Sequence, residues 1–136
     1  MYEDAKRAVE QAGVGEWVKV HQFIAHMDMA YTAADIVISR AGAIAISELC
    51  LVGKPVVLIP SPNVAEDHQT KNALALVDRG AALMVRDADC DNQTLPILKE
   101  LLSSPERQSK MCEAIKKMAV RGAADKIVDQ IAKIVK

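Results

Sequence analysis

Two short runs of β-branched and apolar residues, Asp35-Ile36-Val37-Ile38-Ser39 and Pro55-Val56-Val57-Leu58-Ile59-Pro60, stand on either side of the helical stretch Ala43 to Val52. Apolar runs without alternation are strands covered on both faces, and a helix between two of them is the crossover that lets them run parallel. This one feature removes all-α and antiparallel all-β folds and predicts βαβ units. The rest of the chain extends the pattern. Glu3 to Ala12 reads as an amphipathic helix closed by Gly13 and Gly15, and Trp17 to Phe23 alternates as a strand does. His26 to Ala34 reads as a short helix with Asp28 in its first turn. Past the second run, a loop with Pro62, Asn63 and Glu66 leads to Asp67, the expected N-cap of a helix reaching Arg79 and stopped by Gly80. Ala82 to Arg86 is a further strand, and helices follow at about 93–103, 106–120 and 123–135. The expectation is an α/β domain, a partial Rossmann-like parallel sheet of about four strands with flanking helices. It begins on a helix rather than a strand, and so reads as part of something larger.

Composition narrows the function classes. Lys and Arg number 17 against 18 Asp and Glu in 136 residues, which speaks against a generally basic nucleic-acid binder. The aromatic side chains are Tyr2, Trp17, Phe23 and Tyr31, too few to stack single-stranded bases. Cys50, Cys90 and Cys112 stand far apart and fit reduced thiols in a cytoplasmic protein. His21, His26 and His68 lack metal-ligand spacing, so no metal and no cofactor is expected. No apolar run is long enough to span a bilayer.

In parallel sheets, ligands bind beyond the carboxyl ends of the strands. Beyond Ser39 come Arg40-Ala41-Gly42 and then a helix start, where the N–H groups of Ala43, Ile44 and Ala45 suit a phosphate. A plain helix start with a glycine cap fits the same residues. Ser47 and Glu48 are the polar members of a helix that is otherwise apolar all round, so that helix is expected to be buried. A buried carboxylate needs a partner, which a ribose diol or a salt bridge would supply. Beyond Pro60, His68 and Gln69 fall in the first turn of a helix and can hydrogen-bond a sugar, although a solvated helix start is the commoner meaning.

With these residues in place, the stretch ADIVISRAGAIAISELCLVGKPVVLIPSPNVAEDHQTKNALAL, Ala34 to Leu76, closely resembles the MurG family of GT-B glycosyltransferases. The shared features are an Arg-Ala-Gly-Ala turn followed by Glu48, a Gly53-x-Pro55 entry to a strand ending at Pro60, and Gln69-x-x-Asn72-Ala73. The Phe23-Ile24-x-x-Met27 segment matches as well. The resemblance implies the C-terminal, donor-binding domain of an inverting hexosyltransferase. Such an enzyme moves N-acetylglucosamine from UDP-N-acetylglucosamine to lipid I, making lipid II for peptidoglycan. It further implies that the Ile24 backbone meets uracil and that Gly42, Ala43, Ile44 and Ala45 face the diphosphate. Glu48 would hold the ribose, His68 and Gln69 the sugar, and Asn72 the loop, with Arg40 and Ser47 in support. The family's N-terminal domain, which carries a glycine-rich loop, the base and the lipid acceptor site, has no counterpart in this sequence, nor has the first donor-domain strand. The chain alone is therefore expected to be inactive. Full length, the family is cytoplasmic and peripheral on the inner face of the bacterial plasma membrane.

Two other readings stand beside this one. The first is the donor domain of another GT-B UDP-sugar transferase or of a UDP-sugar epimerase-like protein. The second is a non-catalytic module that self-associates through the 123–135 helix, where Ile127, Val128, Ile131, Ile134 and Val135 share one face.

Overall fold

The computed structural model describes residues 1–63 and 67–135, so the Glu66 position of the expected loop lies outside the described residues. Residues 1–33 and 34–136 form two compact units. The first holds helices α1 (Tyr2–Gln11) and α2 (Met27–Ala33). The expected strand from Trp17 to Phe23 does not form. The N–H groups of Trp17 and Val18 both donate to the Val14 carbonyl at 2.9 Å, so the segment leaves α1 as a turn. Alternation marks a strand only where a neighbouring strand takes up its backbone groups. Trp17 and Phe23 remain more than four-fifths exposed, at 83% and 82%.

The second unit is the α/β domain. Strands β1 (Val37–Ser39), β2 (Val56–Leu58) and β3 (Leu83–Met84) form a parallel sheet in the order β1-β2-β3, with three strands rather than four among the described residues. Val37 pairs with Val56 and Ser39 with Leu58, while Leu58 also pairs with Met84. That register brings all three carboxyl ends level. Backbone bonds extend it past the strands, from Ile59 N–H to Ser39 C=O and from Val85 N–H to Leu58 C=O, each 2.9 Å.

Helices α3 (Ala43–Val52) and α4 (His68–Val77) are the crossovers; α5 (Cys90–Leu102), α6 (Pro105–Lys116) and α7 (Ala123–Ile134) complete the unit. A 3-10 turn over Asp87–Asp89 feeds α5, which therefore starts earlier than its apolar pattern suggests. Ser104 caps α6 through its side chain, with Pro105 opening the helix at a position whose N–H needs no partner. Asp67 precedes α4 as expected, but in a left-handed conformation (φ 54°) and with no side-chain cap bond.

The core gathers on β2, whose three residues are all buried. Val57, Ile59, Val85, Leu101 and Met111 form one cluster, edged by Ile36, Leu83, Cys90, Ile97 and Leu98. Helix α3 packs against α6 and α4 but is not buried all round. Leu49 and Cys50 face inward, while Ile44 is 79% and Leu51 46% exposed, and Glu48 lies on that open side. Burial pushes the Cys50 thiol above its ordinary range. Helix α7 has no buried residue. No helix among the described residues is long and apolar enough to cross a membrane.

Gly53 ends α3 at φ 68°, where its N–H returns to the Leu49 carbonyl at 2.9 Å. A Cβ there would run into the Lys116 side chain. Gly53→Ala is expected to cost about 1–2 kcal/mol, mostly from the left-handed backbone. Urea unfolding of that variant and of Gly53→Ala with Lys116→Ala would check this, the double variant recovering only the steric part.

Candidate functional site

The level carboxyl ends bring three loops together: Arg40 to Gly42 after β1, Ile59 to Ser61 after β2, and Val85 to Asp87 after β3. Their polar groups are tied by side chains from α4 and from Arg40. The Gln69 amide oxygen accepts the Ala41 N–H at 3.2 Å and the Ser61 N–H at 2.9 Å, joining the first two loops. One turn along α4, Asn72 Nδ2 donates to the Ala41 carbonyl at 3.1 Å. Both polar groups of the Ala41 backbone are thereby held by α4. The N-terminus of the next helix is set by its leading turn, so the position of Gly42 follows from these bonds.

Arg40 spans the same strand ends. Its Nη1 lies 3.2 Å from the Ile59 carbonyl and 3.4 Å from that of Pro60, and it pairs with the Asp87 carboxylate. Sequence reasoning inspected the ends of β1 and β2 and missed Asp87, which stands at the corresponding end of β3. The signal available was position alone: an acid immediately after a third strand of the same sheet. Ser47 turns inward on its own helix, its hydroxyl donating to the Ala43 carbonyl at 2.9 Å.

Gly42 is the N-cap of α3 with ordinary extended angles (φ −67°, ψ 148°), and a Cβ on it would meet nothing within 4 Å. Neither backbone conformation nor internal packing asks for glycine here. The first intrahelical bond runs from Ile46 N–H to Gly42 C=O at 2.9 Å, so Ala43, Ile44 and Ala45 are the orphan donors of the helix start. Among the described residues no side chain caps them. The result is a row of N–H groups without an intrahelical acceptor at the positive end of the α3 dipole. Glu48 lies on the open side of α3, six residues beyond Gly42. At 1.5 Å per residue that is about 9 Å along the axis.

Of the residues singled out from sequence, the second unit brings together Arg40, Gly42, Ala43, Ile44, Ala45, Ser47, Glu48, Gln69 and Asn72, with His68 exposed at the start of α4. Ile24 belongs to the first unit. Gln69 uses its amide oxygen to join loops, which leaves its NH2 as the group able to face a ligand. Among the described residues, no three His, Cys, Asp or Glu side chains are placed to hold a metal ion.

A family model described as the Glycosyltransferase family 28 C-terminal domain matches residues 1–127. A relative from Parabacteroides distasonis is 52% identical over 98% of this chain and 36% of its own length. Its name is UDP-N-acetylglucosamine--N-acetylmuramyl-(pentapeptide) pyrophosphoryl-undecaprenol N-acetylglucosamine transferase. A protein of the same name from Porphyromonas gingivalis is 52% identical over 98% of this chain and 35% of its own length. The crystal structure of Acinetobacter baumannii MurG superimposes with a TM-score of 0.77 at 34% identity, covering 85% of this chain and 33% of that one. The chain thus spans about a third of the length of the curated relatives it matches.

Removing the Gln69 oxygen leaves two backbone N–H groups without their acceptor. Gln69→Ala is expected to lower stability by about 1–3 kcal/mol, whereas Gln69→Glu, which keeps an acceptor oxygen but places a charge beside the core, falls between Gln69→Ala and the parent. Chemical denaturation of both variants would check the difference.

Proposed function

The chain belongs to the family of glycosyltransferase family 28 C-terminal domains, and from that premise we propose that its cleft binds the sugar-nucleotide donor, UDP-N-acetylglucosamine. The observation that carries the reading is Gly42: a glycine demanded by nothing inside the protein, opening onto uncapped N–H groups at a helix start. A diphosphate on Ala43, Ile44 and Ala45 would bond those donors and meet the positive end of the dipole. Glu48, about 9 Å further along the open side of α3, is at the distance of a ribose diol, a pairing that nucleotide folds use. His68 and the Gln69 NH2, at the start of α4, would take the N-acetylglucosamine, with Asn72 steadying the loop.

In this reading the chain is the donor half of an inverting transfer. The C4 hydroxyl of a lipid-linked muramyl sugar attacks the anomeric carbon and loses its proton to a base. The bond to the UDP oxygen breaks, and the charge that UDP takes on is stabilised by the α3 amides. Lipid I becomes lipid II. We infer that the acceptor site, the base and peripheral attachment to the inner face of the plasma membrane lie in the part of the longer relatives that this chain does not span.

Calorimetric or NMR titration with UDP-N-acetylglucosamine, UDP, UDP-glucose and GDP tests the assignment. Uridine nucleotides are expected to bind saturably, GDP to bind at least about tenfold more weakly, and Glu48→Ala to weaken UDP about tenfold. Equal affinity for GDP, or indifference to Glu48→Ala, would sink it.

The exposed apolar face of α7 favours a second property beside the first, association of this chain with itself. Ile127, Val128, Ile131, Ile134 and Val135 are 54–81% exposed, a stripe of the kind that marks a contact surface. Light scattering is expected to show dimers that Ile131→Asp dissociates; a monomer at high concentration would remove this reading.

A further inference from the structure

Asp87 is assigned no role by resemblance or by any of the relatives' names, yet it closes the hydrogen-bonded frame around the cleft. It begins the 3-10 turn after β3, and its carboxylate pairs with Arg40, 47 residues earlier in the chain. The next acid, Asp89, is engaged separately, accepting from Arg86 Nε at 2.8 Å. Asp87 is therefore the acid that faces Arg40. The Arg40 guanidinium in turn lies against the Ile59 and Pro60 carbonyls, so one ionic contact links the loops after β1, β2 and β3. Two residues beyond Arg40 the backbone reaches Gly42 and the uncapped amides of α3.

A half-exposed ion pair adds little to global stability, because water screens it and two side chains must be held still. Here the side-chain exposures are 55% and 37%. Its consequence is local. With α4 holding both polar groups of the Ala41 backbone, the Arg40 side chain ties the residue before it to the loops after β2 and β3, so the turn into α3 is anchored at two consecutive residues. Amide donors aimed at an anion act well only when their aim is fixed before the ligand arrives.

We propose that Asp87 is a positioning residue for the donor cleft: through Arg40 it fixes the Arg40–Ala45 backbone in the shape that receives a diphosphate. The inference rests on the donor reading for the identity of the ligand, but not for the effect on the backbone.

The test compares the parent chain with Asp87→Ala and Asp87→Glu. Amide NMR is recorded without ligand, followed by titration with UDP and, separately, with uridine, which lacks the phosphates. In Asp87→Ala the Arg40–Ala45 and Ser61 amides are expected to shift. UDP affinity falls roughly three- to tenfold, uridine affinity holds, and the melting temperature moves by no more than about 3 °C. Asp87→Glu, which restores the charge, brings both the shifts and the UDP affinity back toward the parent. Unmoved Arg40–Ala45 amides in Asp87→Ala overturn the inference whatever UDP does, and so does an equal loss for UDP and uridine. A folded parent that takes up no UDP overturns the donor reading instead, while the amide shifts still decide whether Asp87 holds the turn. If Asp87→Ala does not fold, Asp87→Asn, which keeps an acceptor oxygen without the charge, is read in the same way.

Discussion

One amide oxygen organises the cleft. Gln69 Oε1 takes an N–H from Ala41 and another from Ser61, groups in loops that follow different strands. Parallel strands deliver their loops to the same end of the sheet but leave those loops without a ladder to pair in. Each loop N–H turned away from solvent still needs an acceptor. A side chain from the next helix supplies it, and supplying two loops at once sets their spacing. Asn72 repeats the device with a donor, on the same face of α4 one turn later. The two amides thus do for the loops what backbone pairing does for β1 and β2.

The remaining polar side chains divide the work by charge. Neutral amides hold Ala41, where a charge would be costly beside the core residues Ala41 and Ala73, both fully buried. The charged pair, Arg40 and Asp87, lies further out, where solvent can share the burden. That distribution leaves the start of α3 with its dipole uncompensated by any acid in its first turn. An aspartate at the cap would stabilise the helix and would also occupy the anion's place. Gly42 leaves that place open at some cost in helix stability, as the proposed anion site requires.

How much of this was legible in the sequence depended on the range of the interaction concerned. The runs at 35–39 and 55–60 declared themselves because a strand covered on both faces is apolar throughout, a purely local property. Gly53 announced the end of α3 for the same reason. Trp17 to Phe23 misled because alternation is necessary for an exposed-edge strand but not sufficient; Val14 captured the two N–H groups first. The composition of α3 suggested burial on all sides, yet one side is exposed, where Ile44 and Glu48 sit together. An exposed apolar residue looks the same in sequence as one in a core. Asp87 offered only its position after a third strand, since its pairing with Arg40 depends on β3 lying next to β2 in register.

Two glycines make the strongest contrast in the domain. Gly53 is favoured from within: its φ of 68° strains any residue with a side chain, and a Cβ there would also have to displace the Lys116 side chain. Gly42 has ordinary angles and empty space where a side chain would stand. A stability requirement explains the first and does not reach the second. Any small residue could occupy position 42 as far as the folded chain alone is concerned, and Ser, Asp or Asn would cap α3 better. Under the proposed function, glycine at this position serves access to the backbone from outside. An anion on the Ala43–Ala45 amides is the approach that the exposed donors and the helix dipole both favour.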